Sequence, residues 1–206
     1  MLRILLVQCA LIFTLIVVTG CSGSKPRSFD EGKTLSFSDA DHKAIAKEIG
    51  QLARGKQVSD IEGMAMYSEA VVALTNRGSR IEPHLLEALA GNDDWSVRRG
   101  VIEVLGSLGT RRCVDHLIAA TGDAVPLVGL YAHKTLQAMT GFHPIPAAGE
   151  PTGANGLPPV PQRASTNLEL DAEEKLWASW HEQYGRQLQK IWTTWWKDNR
   201  GTVDLK

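Results

Sequence analysis

The chain has 206 residues, of which 43% are hydrophobic and 22% charged, and its formal net charge is −1. This length is typical of a single domain. The near-neutral charge excludes a global electrostatic attraction to nucleic acid or to anionic lipid. The chain has three cysteines, whose spacings exclude a disulfide scaffold and a structural zinc module.

The first twenty residues are predicted to be a signal peptide. Arg3 gives a positive start, and an almost uninterrupted apolar run extends from Ile4 to Thr19. This run is shorter than the ~20 residues that a membrane-spanning helix needs. A short apolar run after a positive charge is typical of a secretory signal, so residues 1–20 are predicted to be an export signal.

The end of this signal carries a more specific motif. Val18-Thr19-Gly20-Cys21 resembles the lipobox of bacterial lipoproteins. The resemblance implies cleavage before Cys21, attachment of lipid (palmitate among the acyl chains) to that residue, and a tether over 21–37. The protein would then be anchored to a membrane and face the extracytoplasmic space. Ser22, rather than Asp, favours the outer membrane facing the periplasm in a diderm organism. A plain secretory peptide and an uncleaved anchor are the alternatives.

Residues 38–141 show a helical pattern with regular punctuation. Apolar residues recur every three or four positions, and Gly, Asp and Pro separate the runs. Pro83 suits the first turn of a helix, where the missing N–H has no partner to lose. Six helices are predicted, near residues 39–54, 62–77, 82–90, 94–108, 110–121 and 123–140.

The predicted helices repeat with a period of 31 residues. At this shift Leu86 aligns with Leu117, and Val97 aligns with Val128. Helix pairs that recur at such a period indicate a solenoid. The predicted fold is therefore all-α, a short solenoid of antiparallel helix pairs. An ordinary helical bundle is the alternative.

Three segments resemble HEAT repeats in their short, phycobilin-lyase-type form. They are Pro83–Leu89, Asp93–Arg98 and Val101–Gly106. In that family an Asp before the second helix of a pair and an Arg early in that helix lock adjacent repeats by hydrogen bonds. The resemblance implies these roles for Asp93 or Asp94 and for Arg98.

The next repeat departs from this pattern. Asp123 is present, but Gly129 occupies the position of the expected Arg, and Pro126 interrupts the entry to the helix. We therefore expect either a softer joint between repeats or a terminal repeat at this point.

The C-terminal third has two predicted parts. Six of the nine prolines and three glycines lie in residues 143–166, so 142–167 is predicted to be a flexible linker. Five of the six tryptophans lie in 168–206, which is predicted to be a helix that caps the solenoid. Gly185 is a possible break within this helix. A helix at the membrane interface and an aromatic partner-binding surface are the alternatives.

Candidates for chemistry are few. Cys113 and His116 are three residues apart on one helix, but a buried core cysteine is the favoured interpretation. Asp115 and His116 form a conceivable metal site with His133 across antiparallel helices. Neither arrangement matches an established catalytic or ligand spacing. The chain is therefore predicted to have no catalytic residues, no metal and no cofactor.

The positive functional prediction is a binding surface. The second helix of each pair lines the concave face in HEAT-like stacks, and mixed charges on that face favour a protein or peptide partner over nucleic acid. The expected function is a lipid-anchored envelope adaptor, or scaffold, without catalysis. The alternatives are a prosthetic-group or ligand-holding protein resembling the phycobilin-lyase branch, and a structural envelope protein. The residues predicted to face a partner are Tyr67, Arg99, Glu103, Lys134 and Gln137.

Overall fold

The computed structural model describes residues 37–56, 60–160 and 170–205, with side chains of the last range from residue 174 onward. The predicted signal peptide, Cys21 and most of the predicted tether lie outside the described residues. The described part contains α-helices and short 3₁₀ turns and no β-strand. Seven α-helices occur in it: α1 Asp39–Gln51, α2 Ile61–Asn76, α3 Glu82–Gly91, α4 Trp95–Leu108, α5 Val114–Ala120, α6 Pro126–Thr140 and α7 Leu170–Asn199.

Local sequence signals set the helix boundaries. Ser38 and Asp41 form a capping box at the start of α1. Asp94 caps α4 by accepting a hydrogen bond from the backbone N–H of Ser96. Gly109 and Gly141 end α4 and α6 in the left-handed conformation, at φ 63° and 72°.

The first six helices form three pairs in two layers. Each of α1, α3 and α5 packs against the helix that follows it. Helix α4 also contacts α2 and α6, while α3 contacts α1 and α5. This arrangement is the predicted all-α, solenoid-like fold. Its core is built from fully buried aliphatic side chains, among them Leu52, Leu74, Leu85, Ile102, Leu105, Leu117 and Leu136.

Helix α7 packs against α5 and α6, the last pair of the stack. Most of its tryptophans are buried, and Trp192 is fully excluded from solvent. This contact covers the apolar end that an open solenoid would expose. No helix in the described ranges has both the length and the hydropathy of a membrane span.

Two details of the C-terminal third differ from the predictions. Helix α7 runs without interruption through Gly185, and the missing side chain of this glycine leaves space for the imidazole of His181. Pro126 does not interrupt α6 but begins it, at a first-turn position where its missing N–H has no helical partner.

The predicted flexible linker is a packed segment over residues 142–160. Leu157 is fully buried. The carbonyl of Pro158 accepts a hydrogen bond from the indole N–H of Trp180 at 3.1 Å, and the carbonyl of Asn155 accepts one from Gln187 at 2.9 Å. These contacts hold the segment against α7, contrary to the prediction. Residues 161–167 lie outside the described part.

Candidate functional site

Arg99 was predicted to face a partner, but it is buried. Its guanidinium carbon lies 4.8 Å from the ring centre of Tyr67, 5.6 Å from that of Trp95 and 5.4 Å from that of Tyr131. Its Nη2 donates to the carbonyl oxygen of Gly55 at 2.8 Å. Aromatic faces and one backbone acceptor thus take the place of solvent around this cation.

Tyr67 is also buried rather than outward-facing. Its hydroxyl donates to Oε2 of Glu103 at 2.8 Å, which joins α2 to α4. Burial raises the pKa of Tyr67. The prediction was wrong because α2 and α4 approach closely here: a Cβ at Gly100 would lie 3.0 Å from the Tyr67 ring.

The other three predicted residues remain accessible. Glu103 and Lys134 are exposed, and Gln137 is half-buried. Lys134 follows Glu103 by 31 residues (134 − 103), so the two hold equivalent positions on the adjacent helices α4 and α6. The surface formed by α4 and α6 therefore carries a negative charge in one repeat and a positive charge at the equivalent position of the next.

The contact between repeats is made by Arg98, as the resemblance implied, but with a different partner. Its guanidinium forms a bidentate ion pair with Asp123, with both nitrogen–oxygen distances 2.8 Å. Asp93 contributes only its backbone carbonyl to Arg98. Asp94 caps α4 and pairs with Lys56 at 2.7 Å. The acidic residue of the lock therefore comes from the following repeat.

A cleft of about 400 Å³ lies between α6, the start of α7 and the segment 142–160. Its apolar lining comes from Leu127, Leu130, Ile145, Val160 and Trp177, among others. Its polar lining includes His133, Lys134, Gln137 and Glu174. Two of the predicted partner residues thus border a concave site that sequence reasoning missed, because the residues that close it come from the predicted linker and cap.

His133 is a buried residue of this cleft, and its pKa is strongly lowered. It is 4% exposed, and its ring stacks on Trp177 with centres 5.9 Å apart. Its Nδ1 accepts a hydrogen bond from the indole N–H of Trp192 at 3.1 Å. Burial, followed by the nearby His143 and Lys134, lowers the pKa of His133 to about 3. The imidazole is therefore neutral at physiological pH.

The neutral ring has a defined tautomer. An indole N–H can only donate, so Nδ1 of His133 must be unprotonated and Nε2 must carry the hydrogen. Nε2 has no hydrogen-bond partner among the described residues. His133 and Lys134 both belong to the lining of the cleft.

The structure does not bring the other candidate catalytic and metal-binding residues together in one site. Cys113 is buried, its thiol donates to the carbonyl of Thr110, and burial raises its pKa. Asp115 and His116 are exposed on α5, whereas Nδ1 of His133 is occupied by Trp192. No group of three or more potential metal ligands occurs in the described ranges.

The paired helices, the two layers and the bidentate lock between repeats have a counterpart among known protein families. Residues 65–144 match the family model for HEAT repeats. This HEAT-repeat region begins within α2 and ends just after α6. It contains Arg98, Asp123 and both exposed charges, Glu103 and Lys134. No curated protein and no solved structure matches the chain significantly.

Proposed function

We propose that this chain is a lipid-anchored scaffold that binds a protein partner of the cell envelope and performs no catalysis of its own. A helical scaffold for protein interaction is the role that HEAT repeats suggest. The lipid anchor rests on the lipobox-like sequence that ends at Cys21. On this proposal the protein faces the extracytoplasmic space, at the outer membrane in a diderm cell.

The observation that carries the partner surface is the pair of charges on the HEAT-repeat region. Glu103 and Lys134 remain exposed on neighbouring helices, while Tyr67 and Arg99 are buried. A rigid base with outward charges of both signs favours a partner of complementary charge pattern. The partner-facing set is therefore reduced to Glu103, Lys134 and Gln137.

Site-specific crosslinking tests this surface. A photoreactive residue at position 134 should give one discrete crosslinked partner in intact envelopes. The same residue at Lys47, exposed on α1 of the other layer, is the matched control and should not. With the photoreactive residue moved to Gln137, exchanging the charges (Glu103→Lys with Lys134→Glu) should abolish the crosslink to that partner. Equal crosslinking from both positions would contradict the proposed face.

A separate experiment tests the anchor. Cells that express the chain are labelled with radioactive palmitate, and the label should be lost in Cys21→Ala. Cys113→Ala is the control, because Cys113 is buried and should carry no lipid. Label that persists in Cys21→Ala would overturn the lipoprotein part of the proposal without affecting the partner surface.

The cleft at α6 favours a second candidate function, the holding of a ligand as in the phycobilin-lyase branch. A coloured purified protein would favour a bound prosthetic group. Loss of helical signal on chelation would favour a bound metal. Either result would replace the adaptor as the leading proposal.

A further inference from the structure

The cleft between α6 and α7 is electrically asymmetric. Lys134 and His133 both line the cleft. Lys134 forms no ion pair with any described residue. Glu174 lies near Leu127, since both also border a neighbouring groove. Leu127 precedes Lys134 by seven residues, or about 10 Å along the helix axis.

The positive end of the cleft is suited to an anion. The Nε2–H of His133 has no protein acceptor among the described residues, so it can donate to a bound anion. The donor here is held rigidly, because Trp192 fixes the tautomer and Trp177 stacks on the ring. One ammonium and one neutral N–H match the two oxygens of a single carboxylate.

The rest of the cleft is suited to an apolar group. Leu130, Ile145 and Trp177 form part of its lining. A volume of about 400 Å³ is in the range of small-molecule sites. Glu174 disfavours a second negative charge at the far end. The combination selects a monoanion with an apolar body over a phosphate ester or a dicarboxylate.

We propose that this cleft binds a small monocarboxylic acid, with its carboxylate against His133 and Lys134 and its apolar body against Leu130, Ile145 and Trp177. This assigns a ligand class to a site that the scaffold function does not require. If the chain binds the acid but has no protein partner, the scaffold function is refuted and the cleft proposal stands. A chain that has a partner and does not bind the acid would refute only the cleft proposal.

Calorimetric titration tests the proposal, with the full chain in a non-ionic detergent and 3-phenylpropionate as the probe. The matched amide, 3-phenylpropionamide, has the same apolar body without the charge. We expect saturable binding of the acid and affinity for the amide that is lower by about tenfold or more. Absence of saturable acid binding, or equal affinity for the two probes, would overturn the proposal.

Three variants locate the binding. Lys134→Met should weaken acid binding by about tenfold or more, whereas Lys197→Met, an exposed lysine outside the cleft lining, should leave it unchanged. Ala148→Trp should block the acid and the amide alike, because residue 148 lines the cleft and is exposed enough for a larger side chain to fold. Acid binding that survives both Lys134→Met and Ala148→Trp would show that the probe binds elsewhere.

Discussion

Gly129 of α6 lies directly against the imidazole of His181 in α7. A Cβ at position 129 would be 2.6 Å from Nε2 of His181, and that same nitrogen is 2.7 Å from the carbonyl oxygen of Thr121. The position that holds Arg98 in the preceding repeat thus has no side chain here. The departure from the repeat pattern provides space for the cap, which agrees with a terminal repeat.

Gly129→Ala should therefore destabilise the chain. The added methyl group displaces His181 and disturbs its hydrogen bond, at a cost of about 1–3 kcal/mol. Thermal and urea unfolding measure the change. Gly50→Ala, on α1 with open space around it, is the control and should be neutral or stabilising by up to about 1 kcal/mol. Similar effects of the two substitutions would contradict the role of Gly129.

The ion pair between Arg98 and Asp123 should contribute strongly to the coupling of repeats. Arg98→Lys loses the bidentate geometry and should lower the free energy of unfolding by about 1–3 kcal/mol, since both side chains are only 13% exposed. Lys56→Met breaks a pair whose lysine is 50% exposed, so its effect should remain below about 1 kcal/mol. Urea unfolding measures both changes, and a loss in Lys56→Met as large as that in Arg98→Lys would contradict the stronger contribution of the Arg98 pair.

Acid should destabilise the chain through His133. Its folded pKa of about 3 is below the unfolded value of about 6.5, so the unfolded state binds the proton first. The stability associated with the neutral ring is complete above pH 6.5 and is lost as the pH falls towards 3. Between pH 7.5 and pH 5 the free energy of unfolding should fall by about 2 kcal/mol from this residue.

His133→Asn isolates that contribution, because an amide oxygen can accept the Trp192 hydrogen bond without titrating. Urea unfolding at several pH values should show a smaller acid loss in the variant than in the parent. An identical pH dependence of the two proteins would show that His133 does not carry the effect.

Removal of the cap should expose the end of the stack. A chain that stops after Gly141 lacks α7 and leaves the α6 residues that contact it, such as Gly129 and His133, without cover. We expect aggregation, or a melting temperature lower by more than about 10 °C. A chain that stops after Gly201 keeps α7 and loses the hydrogen bond of Arg111 to the Val203 carbonyl together with the partly buried side chains of Val203 and Leu205. It should melt close to the parent, and equal stability of the two truncations would exclude a capping role.

Sequence patterns predicted the helices well because their signals are local. The Asp94 cap, Pro83 and the glycines after α4 and α6 each act within a few residues of the boundary they set. The period of 31 residues also predicted that the helices are paired, because apolar residues at equivalent repeat positions pack in equivalent places.

The surface was harder to predict because it depends on contacts between distant segments. Arg99 and Glu103 lie one turn apart on α4, yet Arg99 is enclosed by aromatic rings from three helices while Glu103 stays in solvent. Helical periodicity cannot separate them, since it does not report how closely the next helix approaches. The cleft was missed for the same reason: its lining joins α6 to Ile145 and Trp177.

The hydrogen bond from Trp192 to His133 couples the docking of α7 to the binding properties of the cleft. Trp192 determines which imidazole nitrogen bears the hydrogen, and Glu174 and Trp177 of the same helix complete the lining. Occupancy of the cleft and docking of α7 are thus linked equilibria: whatever binds there adds its free energy to the closed end of the stack. By the same linkage, a change that weakens the docking of α7 would lower the affinity of the cleft for its ligand.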